Sequence, residues 1–315
     1  MALLWRKGRL LIHKLTTRRF PAPTEAEFAV ESQSSSLPDA SSRRWPHTFA
    51  IISWGCAGTS WLSKTLNSHA EILCVHDWRK HMSRFAPRYR RVNDVEALDA
   101  LHNAGENYQC VGDVHSVLCN SIPAVVNHFS NRGISIAGIT RDPLPRLRSQ
   151  LALFARHNYD HRLWGDLRYL RREPGFDQVK EVIEGSAKYV CFAHGAVQLN
   201  AINIEATAIP RIFRLEDLTT LPQHFADFVS YLSGGRIAPD LAEAQEMIGL
   251  RPVNQHRKVA SPAVEFDFNE LRILQAMVLP ESWDRYKEFG YERPVWANSR
   301  WQHLEGGKAG VAKAA

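Results

Sequence analysis

The run Phe49-Ala50-Ile51-Ile52-Ser53-Trp54-Gly55-Cys56-Ala57-Gly58-Thr59-Ser60-Trp61-Leu62 changes character twice in a short space. Phe49 to Ile52 is continuously apolar, as in a strand buried on both faces. Small residues follow, which let the backbone turn tightly. From Thr59 onward Trp61, Leu62 and Leu66 recur with helical spacing. A strand that feeds a small-residue turn and then a helix aims successive N–H groups into one concavity, with the positive end of the helix behind them. That is an anion cradle, most often for phosphate. An ordinary Gly-containing strand–helix turn has the same pattern, so the loop alone leaves both readings open. A Walker-type loop, G-x-x-x-x-G-K-[ST], needs a Lys after its last Gly to serve the terminal phosphates. Here Thr59 follows Gly58, which argues against an ATPase or a P-loop kinase.

Working outward, short apolar runs alternate with helix-like segments. Glu71–Val75 and Tyr108–Val111 read as strands, and Ile134–Ile139 is the clearest strand in the chain. Ile212-Phe213-Arg214 is a further short strand before Glu216-Asp217-Leu218. From Val179 to Ile202 apolar residues keep a 3.6-residue spacing, which predicts one long central helix, with His194 on its apolar face. Alternation of this kind predicts an α/β fold: a P-loop-like, three-layer α/β/α arrangement around a central parallel sheet.

The Ile134–Ile139 strand ends at Arg141-Asp142-Pro143-Leu144-Pro145-Arg146-Leu147-Arg148-Ser149. Arg141 therefore stands at the C-terminal end of a strand, where open α/β sheets bind ligands. The two prolines suit a turn and the first turn of a helix. Ser149 falls about two helical turns on, so Arg141 and Ser149 can converge on one anion, a guanidinium fork beside a hydroxyl.

These two segments together resemble the sulfotransferases that use 3′-phosphoadenosine 5′-phosphosulfate (PAPS). Their signature is G-x-x-G-T-[ST]-W-L after the first strand and R-[DN]-P-x-x-R-x-x-S after a later one. The resemblance implies that Gly55, Cys56, Ala57, Gly58, Thr59 and Ser60 hold the 5′-phosphosulfate. It implies that Arg141 and Ser149 hold the 3′-phosphate, and that Trp61 stacks near the adenine. Phe213-Arg214-Leu215-Glu216-Asp217-Leu218 resembles the family's strand-ending R-Y-E-D-L, and Tyr286-Lys287-Glu288-Phe289-Gly290-Tyr291 resembles its C-terminal helix. Arg257-Lys258 matches the late R-K-G segment in part, without its Gly, and makes Arg257 a further candidate for the 3′-phosphate. Val111-Gly112-Asp113-Val114-His115-Ser116 resembles the family's K-T-H-L segment, which makes His115 the general base. Read against a G-E-K-T-P form, the base is Asp113. The resemblance spans residues 47–292 and implies sulfuryl transfer from PAPS to a hydroxyl or amine acceptor without a metal.

One position departs from the family. Many members carry Lys or Arg two residues before the Gly-Thr, where it neutralises the leaving group; aligned on Gly58-Thr59-Ser60, this chain has Cys56. A neutral thiol supplies no positive charge. Either another cation reaches the site (Lys64, Arg79 and Arg257 are candidates), or catalysis is slow, or the protein binds a nucleotide or anion without transferring.

Composition bounds the rest. The chain has 315 residues, 44% hydrophobic and 23% charged, within the range of soluble globular proteins. Five scattered cysteines without a C-x-x-C pair argue against a zinc site or a disulfide framework. Arg6, Lys7, Arg9, Lys14, Arg18 and Arg19 account for the whole net charge of +6. A basic surface for nucleic acid is therefore not indicated, and the cluster from Arg79 to Arg91 reads as a solvated face. Residues 1–46 are expected to be a basic segment and disordered linker, 47–296 the sulfotransferase-like domain, and 297–315 a disordered tail. A cytoplasmic location follows from cysteine usage. Alternating apolar and basic residues in 1–20 add a peripheral contact with an anionic membrane surface. The acceptor, whether glycan, lipid or small molecule, is not specified by any stretch of sequence.

Overall fold

A computed structural model describes residues 46–53, 57–76, 107–115, 122–156, 158–159, 167–249 and 265–298. The expectations for residues 1–45 and 299–315, for the Arg79–Arg91 cluster and for Arg257 lie outside these residues.

β1 (His47–Ser53) shows why the sequence reads as a doubly buried strand. Phe49 and Ile51 point to one face of the sheet, among Leu62, Leu66, Phe225 and Phe228. Ala50 and Ile52 point to the other, among Val126, Phe129, Ile136 and Ile209. Each large apolar side chain buried this way contributes roughly 1.5–3 kcal/mol. The elements covering the first face are α1 (Thr59–Leu66), α9 (Pro222–Leu232) and α10 (Leu241–Ile248). The second face is covered by α2 (Ile122–Ser130) and by the end of α7 (Ile202–Ala208).

The sheet contains β2 (Ile72–His76), β3 (Cys110–His115), β1, β4 (Ser135–Thr140) and β5 (Arg211–Arg214), in that spatial order and all parallel. This is the three-layer α/β/α fold the alternation predicts. Gly112 of β3 pairs with Phe49, and a Cβ there would meet the phenyl ring at 2.2 Å. Only a glycine lets that ring lie across the neighbouring strand.

A further helical layer follows β4. α3 (Pro143–Arg156), α4 (Leu167–Leu170), α5 (Phe176–Glu184) and α6 (Ala187–Leu199) share one apolar core with α11 (Phe268–Met277) and α12 (Pro280–Glu288). Between β5 and α9 lies the short α8 (Leu215–Thr220). The long helix predicted for Val179–Ile202 is instead three helices, α5, α6 and α7, and this corrects the sequence reading. Gly185 ends α5, and Ser186 is extended at φ −155 before α6 begins. Asn200 ends α6; its carboxamide accepts from Leu279 N at 2.9 Å and donates to Met277 O at 2.9 Å, so the junction of α11 and α12 fixes the bend. The periodicity persists because each bend returns the apolar side chains to the same core. Among the described residues no helix is long and apolar enough to cross a membrane.

Candidate functional site

Strand order determines where the two signature loops meet. From β1 the chain moves through α1, on the Phe49 face, toward β2 at one edge. From β4 it returns over the opposite face to β5 at the other edge. The C-terminal ends of β1 and β4 are paired neighbours, with Ser53 opposite Ile139. The connections leave in opposite directions at this point, which makes it the topological switch point, where such sheets bind ligands.

On the β1 side, Gly58 caps α1 with φ 75. Leu215 packs so close that a Cβ on Gly58 would lie 2.9 Å from its Cδ1. The residue must be glycine for both reasons, conformational and steric. Gly58 brings no side-chain acceptor and the first turn of α1 holds no acid, so the positive end of the helix meets no negative side chain of its own. Ala57 and Thr59 are buried and Ser60 half-buried. Gly55 and Cys56 lie outside the described residues.

On the β4 side, Arg141 Nη1 donates to Ser149 Oγ at 3.3 Å, so the fold brings these two residues together. The turn between them is braced from several directions. Asp142 Oδ1 accepts from Leu144 N at 3.1 Å and caps α3, while Asp142 N donates to Glu216 Oε1 at 3.1 Å. Glu216 Oε2 accepts from the Tyr291 hydroxyl at 2.8 Å. Burial, together with the Glu216 carboxylate, raises the Tyr291 hydroxyl above its ordinary pKa, so it stays a donor. Burial raises Asp142 as well, with the Glu216 charge adding to it. Glu216 is thus a hydrogen-bonding strut between the Arg141 turn and Tyr291, as its strand-end position suggests.

The other arginines of this run do different work. Arg146 is 3% exposed and donates to the Tyr286 hydroxyl and to Gln198 O, each at 3.3 Å. Arg148 pairs with the buried Glu270 at 2.9 Å and lies over the Phe266 ring. Sequence reading sees one basic stretch; the helix turns its members toward separate partners.

His115 is the last residue of β3, in register with Ile52, at the sheet edge that carries both loops; its side chain lies outside the described residues. Asp113 is two residues further from that edge, opposite Ala50 and Val75, and is 6% exposed. Trp61 is 6% exposed and packs edge-on against Phe225 in the core. Lys64 does not suit the role of substitute cation. It is exposed in the last turn of α1, roughly 7–8 Å along the axis from the helix start. His194, read as a core histidine, is buried at 4% exposure and stacked on Tyr169.

One contact was not legible in the sequence. His76, which ends β2, meets Thr59 Oγ1 through Nε2 at 2.9 Å. The two are 17 positions apart in separate elements, and nothing in their spacing marks them as partners.

No family model and no curated protein matches the chain. Solved structures similar to it include a sulfotransferase from Alicyclobacillus acidocaldarius, with TM-score 0.45 and 14% identity over 80% of this chain and 98% of that one. The sulfotransferase domain of a Synechococcus olefin synthase gives TM-score 0.38 and 13% identity, covering 82% and 98%. A mouse sulfotransferase complexed with PAP gives TM-score 0.36 and 12% identity, covering 78% and 82%. These structural neighbours are sulfotransferases; the fold of the present chain rests on its own sheet order and layers.

Proposed function

We propose that the protein transfers a sulfuryl group from PAPS to an acceptor hydroxyl or amine. The observation that carries this reading is the Arg141–Ser149 pair beside the β1–α1 anion turn, both at the switch point of the sheet. In the transfer, a new bond forms between sulfur and the acceptor atom while the bond from sulfur to the bridging phosphate oxygen breaks. The acceptor proton passes to a base, and adenosine 3′,5′-bisphosphate leaves. The residues of this chain act by position and charge, as in phosphoryl transfer. The N–H groups at the start of α1 hold the 5′ end, and the Arg141 fork with the Ser149 hydroxyl holds the 3′-phosphate. His115, at the same sheet edge, takes the proton.

A second reading has its own support: Cys56 stands where many of the sulfotransferases it resembles carry a cation, and a nucleotide-binding protein without transfer needs none. Labelled PAPS offered with pooled glycan, lipid and phenolic acceptors separates the two. Transfer supports the enzyme; bisphosphate binding without transfer to any acceptor supports the binder. In either case Arg141→Ala should weaken adenosine 3′,5′-bisphosphate by about 2–4 kcal/mol, and Ser149→Ala by about 1 kcal/mol, by calorimetry. Unchanged affinity in the Arg141 variant would remove the assignment.

A further inference from the structure

The anion turn has no cationic side chain of its own, since no Lys or Arg lies between Ser53 and Ser63. Its hydroxyls therefore matter more, and that of Thr59 is engaged by His76. Resting on the sulfotransferase reading, we propose that His76 is a positioning residue for the phosphosulfate: its Nε2–H donates to Thr59 Oγ1, which commits the Thr59 hydroxyl hydrogen to the bound anion.

A hydroxyl has one hydrogen and two lone pairs. If Nε2 is protonated, the imidazole occupies a lone pair and the hydroxyl hydrogen turns toward the concavity at the start of α1. If Nε2 were the acceptor, that hydrogen would point at the ring and be lost to the ligand. An oxyanion beside Thr59 favours the first arrangement, because a lone pair facing it would be repelled. Accepting from the ring also polarises the hydroxyl and strengthens the bond it donates. The placement suits this role. His76 ends the edge strand opposite Val114, next to the register position of His115, so it stands at the C-terminal edge where the ligand is expected.

The two arrangements predict opposite signs. With inorganic pyrophosphate and adenosine 3′,5′-bisphosphate as probes, His76→Ala should raise Kd about tenfold if Nε2 donates, and His76→Gln, whose amide can donate, should recover most of it. Affinity that is unchanged or improved in His76→Ala overturns the proposal, since removing an acceptor would free the hydroxyl. In a Thr59→Ala background the same His76 substitution should change Kd less than twofold; a full tenfold loss there would mean His76 acts by another route and also overturns it. Melting without ligand identifies a variant whose fold is disturbed, and His76→Gln then decides. If wild type binds pyrophosphate but not the bisphosphate, the sulfotransferase reading fails while the His76 comparison still runs on pyrophosphate. If it binds neither, both fail.

Discussion

His115 and Asp113 share β3 but not the same depth. His115 pairs with Ile52 at the sheet edge; Asp113 lies opposite Ala50 and is 6% exposed. A base must come within hydrogen-bond reach of the acceptor proton, and the edge position favours His115. His115→Ala should therefore lower transfer by roughly 10²–10⁴-fold while bisphosphate affinity changes little, and the wild-type rate should show an acid limb where the imidazole takes up its proton. A loss confined to Asp113→Asn, without that limb, would reassign the base. The contrast between Arg141–Ser149 and His76–Thr59 shows how far single residues can be read from sequence. The first pair is linked by one turn and one helix, so spacing alone places both on one side. The second pair is joined only through sheet order, which no local pattern encodes.

Elements were more legible than their limits. α1 coincides with the periodic stretch Thr59–Leu66, and β4 lies within one residue of the run read from Ile134 to Ile139. β3 extends four residues beyond the expected end at Val111, to His115. Gly112 and Asp113 obscure it, being poor strand formers in isolation that close packing retains here. The long helix was misread because apolar period does not register a bend that preserves the buried face. Only Gly185-Ser186 and Asn200 mark the breaks, and Asn200 acts through partners some 80 positions away, at 79 for Leu279 N and 77 for Met277 O. At the junction of β1 and α1, Gly58→Ala tests whether the cap is as demanding as its geometry implies. The positive φ alone costs about 1–2 kcal/mol for a residue with a Cβ, and Leu215 must also move. Urea denaturation should show at least that loss. Calorimetry should show weaker pyrophosphate binding, because the start of α1 is displaced. A loss no larger than the φ cost would mean that Leu215 yields freely, and an unaltered midpoint would mean that the cap does not demand glycine.

At the scale of the whole molecule, the sequence carries the layer arrangement but not how α12 and the residues after it are tied to it. Tyr286 of α12 and Tyr291 just after it reach back to Arg146 and Glu216, so this segment braces the Arg141 turn and the helix that follows it. The helical layer is closed by a charged cluster around the start of α11. Asp267 and Glu270 form a capping box, Lys188 Nζ reaches Asp267 Oδ2 at 2.7 Å and Glu270 Oε1 at 3.0 Å, and Arg148 pairs with Glu270. Burial pushes the Asp267 carboxyl up, but the Lys188 ammonium and the Glu270 N–H outweigh it and hold the pKa below 3.8. A carboxyl depressed in the folded state stabilises the fold above its unfolded value, and that contribution is lost as pH falls through the folded value. Lys188 is held above 10.5 and stays charged across this range. Asp267→Asn keeps a good cap acceptor and removes only the charge, so at pH 7 it should cost no more than about 1 kcal/mol, as expected for a solvent-screened pair. Asp267→Ala loses the cap as well and should cost about 1 kcal/mol more. The wild-type advantage over Asn should shrink as pH falls below 3.8 and vanish in stronger acid, while the gap between Asn and Ala persists. Thermal melts of the three proteins across that range measure both differences. A wild-type–Asn gap that is constant with pH would mean that the Asp267 charge contributes nothing to closing the helical layer.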